Sequence, residues 1–328
     1  MKLRVGLIVL VMTLFLAGSV ASLVGAETVS EAYASSAAIY EIDSSARITG
    51  MGGAFIGLAD DENAVVYNPA ALGFFRGGGI NTTYDRKFGA LTYNSAVLSA
   101  GPLGFAGSRL SSDSIAVTDQ YGVDTGESTS YSSTTLIGSL GIPGGIVGIG
   151  GRSFGFGLGL QFRSFRSDLF TTTGSGFDLA LSGLLRASPG GNTEFRVGAT
   201  FPGYLISDSL PDDVPLGDIV YEDSSGALLH EESFPSSFGL GFGLKLGEED
   251  RRTSIAVDWN PDFGISAGLE QKFHLIAGRV GMNSDGDLTV GGGLEFDDLG
   301  GLAAHLDAAY TVKSELAGSW VLTFSLGF

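Results

Sequence analysis

Three side chains in this 328-residue sequence, His230, His274 and His305, can act as imidazole bases near neutral pH. None stands in a nucleophile or metal-ligand pattern. Zero cysteine excludes thiol nucleophiles, disulfides and cysteine-held metals. The glycine repeats are no phosphate loop, because they lie inside alternating apolar runs and lack a Gly-Lys-Ser/Thr ending. What remains is carboxylate chemistry. Residues 205–233 carry Asp208, Asp212, Asp213, Asp218, Glu222, Asp223, Glu231 and Glu232 with no Lys or Arg. Such a run meets a basic partner or divalent cations, or simply keeps a loop in water. A Ser-His-Asp group assembled at a distance would not show in sequence; loss of lipid or peptide hydrolysis on His305→Ala would reveal one. With no catalytic residue, metal set or cofactor motif in sight, the expectation is a non-enzyme.

The elements that would carry these residues are strands. From Trp320 to Phe328, the residues Trp320, Leu322, Phe324, Leu326 and Phe328 fall on one face and small or polar residues mostly on the other. A greasy outer and a wet inner face are what a barrel strand in a bilayer requires. Lys2 and Arg4 precede an uncharged run from Val5 to Val20, and Val24-Gly25-Ala26 supplies small residues before Glu27. Residues 1–26 therefore read as a signal peptide for export through the inner membrane. No later stretch reaches the ~18 to 20 apolar residues of a spanning helix. An exported, apolar chain without such a helix points to a closed barrel, because lipid satisfies no backbone polar group; a secreted soluble β-protein is the alternative. Gly at 52 and charge at only 16% are unusual for soluble domains. Without Lys2 and Arg4 the net charge moves from −18 to −20, which argues against nucleic acid as a partner.

Alternation between turn signals gives about 14 strands: 78–87, 90–100, 103–115, 131–141, 154–166, 173–186, 193–204, 234–246, 252–260, 263–272, 275–283, 287–296, 301–312 and 317–328. The fold class is thus all-β, a transmembrane antiparallel barrel over 78–328. With both termini in the periplasm, the two longest connections, 116–130 and 205–233, fall outside, and turns such as 101–102, 187–192, 247–251 and 297–300 are short, as expected, with the glycine-rich 142–153 the one longer exception. In the fifth strand Phe154, Phe156, Leu158, Leu160 and Phe162 alternate with Gly155, Gly157 and Gly159. The eighth sets Phe238, Leu240, Phe242 and Leu244 against Gly239, Gly241 and Gly243. Inward glycine marks close approach by other backbone or a ligand, or eases strand curvature. Something should fill the lumen, and the candidate is 27–77.

That segment holds the densest motif, G-M-G-G-A-F-x-G-L-A-D-D-x-x-A-x-x-Y-N-P-A-x-L at Gly50 to Leu72. It resembles the N-terminal signature of FadL-type outer-membrane proteins, above all their PorV-like branch. Gly268-Leu-Glu270, Arg279-Val-Gly281, Leu288-Thr-Val-Gly291-Gly-Gly293-Leu and Leu306-Asp307-Ala-Ala-Tyr310 resemble the family's closing strands. The resemblance implies a 14-stranded barrel with an N-terminal hatch inside it. Asn68, Pro69 and Ala70 match the hatch's Asn-Pro-Ala element, followed by Leu72, and Asp60 and Asp61 match the acidic pair. By their own chemistry, Pro69 restricts Asn68 to extended geometry, the Asn68 amide can satisfy turn backbone, and Asp60 can cap a short helix starting near Asp61. Direct ligand contact is the other role open to them. Gly50, Gly52 and Gly53 would let hatch backbone lie close to the wall.

The resemblance further implies passive uptake of hydrophobic small molecules such as long-chain fatty acids, leaving sideways into the membrane at a kink in the third strand. Here Leu103 and Phe105 start that strand cleanly, and Gly107-Ser108-Arg109 breaks the alternation. A bulge at Gly107 that opens the ladder is one reading; an end to the lipid-facing belt is the other. Trp320, Phe324 and Phe328 are the expected C-terminal signal to the barrel-assembly machinery. The alternative function, by the PorV-like resemblance, is a scaffold that holds a secreted protein at the outer membrane. The expected partners are thus outer-membrane lipid, a hydrophobic small molecule and, in the scaffold reading, that secreted protein.

Overall fold

The computed structural model describes Ile39 and residues 42–328, apart from 88, 120, 145–153, 170–171, 190–191, 202–217, 224, 234–237, 262–263, 297–298 and 313–317. The expected signal peptide, the start of 27–77 and much of the acidic run lie outside the described residues. Two short helices, α1 (Ala46–Gly50) and α2 (Ala64–Tyr67), and a 3₁₀ turn (Pro69–Phe74) precede the strands. These are β1 (Gly78–Lys87), β2 (Leu91–Ala100), β3 (Leu103–Ser112), β4 (Ile115–Thr118), β5 (Asp124–Thr129), β6 (Tyr131–Pro143), β7 (Phe154–Leu169), β8 (Thr172–Ala187), β9 (Thr193–Phe201), β10 (Asp218–Glu222), β11 (Leu228–Ser233), β12 (Gly239–Glu248), β13 (Arg251–Asn260), β14 (Gly264–Phe273), β15 (Ile276–Met282), β16 (Leu288–Phe296), β17 (Ala303–Val312) and β18 (Ser319–Gly327).

Fourteen of them close an antiparallel barrel. Neighbours in sequence pair with neighbours, with β3 passing to β6 and β9 to β12, and β1 closes on β18 from Gly79↔Gly327 to Arg86↔Trp320. Closure leaves the fourteen-strand wall without a free edge. All fourteen strands read from alternation are present, most within a few residues of their expected ends. The two long connections, however, contain hairpins that alternation did not find. β4 and β5 form a separate pair, and β10 adds to the upper part of β8 at Gly174↔Tyr221 while β9 takes its lower part at Leu181↔Phe201. Because strands alternate in direction, both connections lie at one end of the barrel, the loop-rich end.

The faces sort as the period of 2 demands. In β18, Trp320, Leu322 and Phe324 are exposed while Val321 and Thr323 are buried. Trp320 lies 5.4 Å from the Tyr84 ring on the neighbouring strand, the kind of aromatic pairing found at a bilayer interface. In β7, Leu158, Leu160 and Phe162 point out, and Gly157, Gly159 and Gln161 point in. One expectation fails. β3 keeps continuous register with β2 (Val97↔Ala106, Ala96↔Gly107, Ser95↔Ser108, Asn94↔Arg109) and with β6 (Ala106↔Ile137, Gly107↔Leu136, Ser108↔Thr135, Arg109↔Thr134). There is no bulge and no opened ladder at Gly107–Arg109. Gly107 and Arg109 simply occupy outward positions without apolar side chains, because two regular neighbours on either edge hold β3 straight.

Candidate functional site: the filled bore

The largest fully buried apolar side chains of the N-terminal segment, Ile48, Met51, Phe55, Leu58, Val65 and Leu72, lie within the barrel, in one cluster with Val97, Ile137 and Leu184 of the wall. Residues 44–75 thus cross the lumen. Glycine makes this possible. A Cβ on Gly57 would stand 2.5 Å from the Gly241 carbonyl carbon and the Phe242 nitrogen, and one on Gly50 would stand 3.2 Å from the Arg279 Cβ. From the wall side, Cβ atoms on Gly159, Gly241 and Gly281 would collide with the backbone of Ala70, Gly57 and Gly52. The inward glycines of the fifth and eighth strands therefore mark backbone approach, one of the two readings left open above. Gly52 and Gly53 also need φ of +69° and +85°, a region that L side chains avoid.

On the wall formed by β1, β2 and β6 to β8 the segment is held by neutral groups. Thr83 donates to the Ser44 carbonyl (2.7 Å), Ser139 to the Val65 carbonyl (2.7 Å), and Gln161 Nε2 to the Val65 and Val66 carbonyls (2.7 and 2.9 Å). The Ala70 N–H donates to Ser182 Oγ (3.0 Å). Asn68 is extended, φ −154° and ψ 85°, as the following proline requires. Its amide donates to the Ile56 carbonyl inside the segment (2.9 Å) and to the Gly183 carbonyl of the wall (3.3 Å). Pro69 opens the 3₁₀ turn, and Leu72 is fully buried.

The opposite wall is charged. Arg47 of α1 meets Glu270 of β14 through two hydrogen bonds (2.8 and 2.9 Å) and also Asp60 and Asp61 (both 2.7 Å). Lys245 of β12 pairs with Asp60 at 2.6 Å. Behind them Arg279 joins Glu270 (2.7 Å), Glu295 (2.9 Å) and Asp307 (2.5 Å). Asp60 is therefore no helix cap, contrary to expectation. A buried carboxylate between a guanidinium and an ammonium is far better compensated there than by helix N–H groups. Asn63, preceding α2, makes no side-chain cap, and Asp61 accepts from the Asn63 N–H at 2.8 Å instead. Sequence reading missed Asp258, whose carboxylate accepts from the Phe55 and Ile56 N–H groups (2.5 and 2.6 Å), and Arg196, which donates to the Leu58 and Ala59 carbonyls (2.6 and 3.0 Å). Charge at an inward strand position was the available signal.

Toward the loop-rich end the bore turns apolar. Ile39, Tyr93, Leu110, Phe165, Ile219 and Tyr221 form a buried cluster, the last two supplied by the β10–β11 hairpin. Beneath it lies a cavity of about 20 Å³, bounded by Ile39, Ile42, Ser44 and Val66 of the segment and by β2, β3 and β6. That volume holds about one water molecule. In the turn of that hairpin Asp223 is a structural residue: hydrogen bonds from Ser225 Oγ (2.6 Å) and from the Ser225 and Ala227 N–H groups hold its carboxyl below the usual range. His305 lies in β17 and His274 in the turn after β14.

No family model and no curated protein matches the chain. Solved structures do. The Pseudomonas putida toluene transporter TodX aligns at 13% identity and a TM-score of 0.50, over 86% of this chain and 96% of that one. The Ralstonia pickettii toluene transporter TbuX aligns at 9% and 0.53, over 86% and 97%. A Pseudomonas aeruginosa FadL homologue aligns at 10% and 0.50, over 87% and 98%. At these identities the likeness is one of backbone: the chain has the fold of the FadL-type transporters.

Proposed function

We propose that this protein is an outer-membrane channel for hydrophobic small molecules, with residues 27–77 as its hatch and 78–328 as its barrel. The observation that carries this is the bore itself, in which a cylinder with a greasy outer face is filled by residues 44–75 beneath an apolar cluster. The toluene transporters named above support the solute class. Binding needs no energy source, since apolar burial gains about 25 cal/mol per Å². A cavity of about 20 Å³ admits no such solute, so in this proposal the hatch shifts during passage. Exit through β3 at Gly107, Ser108 and Arg109 is not part of it, the ladder being closed there. Trp320, Phe324 and Phe328 serve as the assembly signal.

The test uses the absence of native cysteine. A Cβ on Gly79 would stand 3.7 Å from the Glu62 Cβ, inside the range for a disulfide. Glu62→Cys with Gly79→Cys should block uptake of radiolabelled toluene into cells when oxidised and restore it when reduced. Equal uptake in both states refutes a moving hatch; no uptake above cells without the protein refutes the channel. A bore with room for one water also suits a static scaffold of the PorV-like kind. Co-purification of a secreted protein, lost on deletion of 205–233, would favour that second reading.

A further inference from the structure

Resting on the channel reading, we infer that the cavity under the loop-rich end selects neutral amphiphiles with one hydroxyl head, such as long-chain alcohols, and rejects the fatty-acid anions expected from sequence. The cavity has a hydroxyl floor. Ser95, Ser108 and Thr135 lie directly opposite one another across β2, β3 and β6, all facing inward. Ser108 Oγ and Thr135 Oγ1 are 2.6 Å apart, and Ser95 donates to the Ser44 carbonyl at 3.3 Å. Each hydroxyl carries one donor and two acceptor lone pairs. The Tyr93 hydroxyl also meets those of Ser95 and Ser108, so four contacts engage the four hydroxyl protons, and the lone pairs left over can take a hydrogen bond from a ligand O–H. Apart from Ser44 and Tyr93, the rest of the lining is apolar, chiefly Ile39, Ile42, Val97 and Ile137.

No Lys or Arg lines the cavity. The charges at its margin are acidic in balance. Asp43 is next to Ser44 and accepts from the Tyr67 hydroxyl at 3.0 Å. Asp85 lies opposite Tyr93 in the β1–β2 ladder and holds Lys87 at 2.9 Å. Two carboxylates thus stand against one ammonium. Arg163 is paired with Asp178, and Arg109 is exposed on the outer face. A carboxylate head would enter with no counter-charge and against like charge, the costliest form of burial, whereas an alcohol head needs only the hydrogen bonds on offer. Room for the apolar body comes from withdrawal of Ile39 and Ile42, which belong to the hatch and not to the wall.

Native mass spectrometry of the purified barrel with hexadecan-1-ol, hexadecanoate or hexadecane at pH 8 and equal concentration tests this. The alcohol should occupy the protein at least tenfold more than the carboxylate. Ser108→Ala with Thr135→Val should cut the alcohol's advantage over hexadecane about fivefold for each lost hydrogen bond. Val97→Lys should turn the preference toward hexadecanoate. Equal or better binding of hexadecanoate by the unaltered protein overturns the inference whether or not the variants fold, and so does binding of none of the three. The channel reading is judged separately by the toluene assay.

Discussion

The two walls of the bore hold the same segment by opposite means. Toward β1, β2 and β6 to β8, it rests on hydroxyls, one glutamine and glycine contact. Toward β9 and β12 to β17, it is gripped by a chain of buried ion pairs running from Lys245 through Asp60, Arg47, Glu270 and Arg279 to Asp307. A neutral hydrogen bond contributes about 0.5 to 1.5 kcal/mol, and breaking a buried ion pair costs about 3 to 5. The charged side is therefore the anchor, and the neutral side, which borders the cavity, is the one that the proposed movement of the segment would release at least cost. In the proposed channel, a solute at that cavity would act on the segment without disturbing its charges.

The largest effect should come from Arg279→Met, which takes a partner from Glu270, Glu295 and Asp307 at once; Glu270 keeps Arg47 and Glu295 keeps Lys272, so Asp307 is the carboxylate most exposed to the loss. Loss of about 3 to 5 kcal/mol is expected, read as a lower urea midpoint for the heat-modifiable folded band in detergent. An unchanged midpoint would mean that the charges are hydrated, and the contrast between walls would collapse. Gln161→Leu, on the neutral wall, should cost about 1 kcal/mol, because Ser139 still donates to the Val65 carbonyl. A loss as large as that of Arg279→Met would make the neutral wall the anchor. The smallest effect concerns an exposed pair. Arg86 donates to Asp113 at 3.0 and 2.5 Å and holds its carboxyl below the usual range. A depressed folded pKa gives stability that is present above the unfolded value and lost as pH falls through the folded one. Asp113→Asn should therefore lower stability slightly at pH 7, where the pair is intact, and converge with the unaltered protein as pH falls below about 4; a loss that persists at low pH would show that the pair acts through packing.

Much of the cylinder was legible beforehand. Alternation from Gly78 to Phe328 found every barrel strand, because facing is a property of two adjacent residues. It missed β4–β5, where no buried face imposes a period, and β10–β11, where the buried Ile219 and Tyr221 are only two positions within a long polar connection. In β4, exposure runs through Ile115, Ala116 and Thr118 with only Val117 partly covered. The motif from Gly50 to Leu72 indicated a segment folded against something, and Asn68-Pro69 its extended turn. The role of Asp60 was misread because a helix cap is a local solution, whereas its partner Lys245 lies far along the chain.

Sequence alone determined which barrel residues point outward and which inward, how many strands close the barrel, and at which inward positions glycine leaves room. Those follow from a repeat of two residues and from the absence of Cβ, both local. Only the tertiary structure decided what fills that room. Arg47 reaches Glu270 across 223 positions of chain, and Ser95, Ser108 and Thr135 become one hydroxyl row only when three ladders align. Register across a closed barrel is set jointly by every strand and by the segment inside it, so no single stretch of sequence contains it.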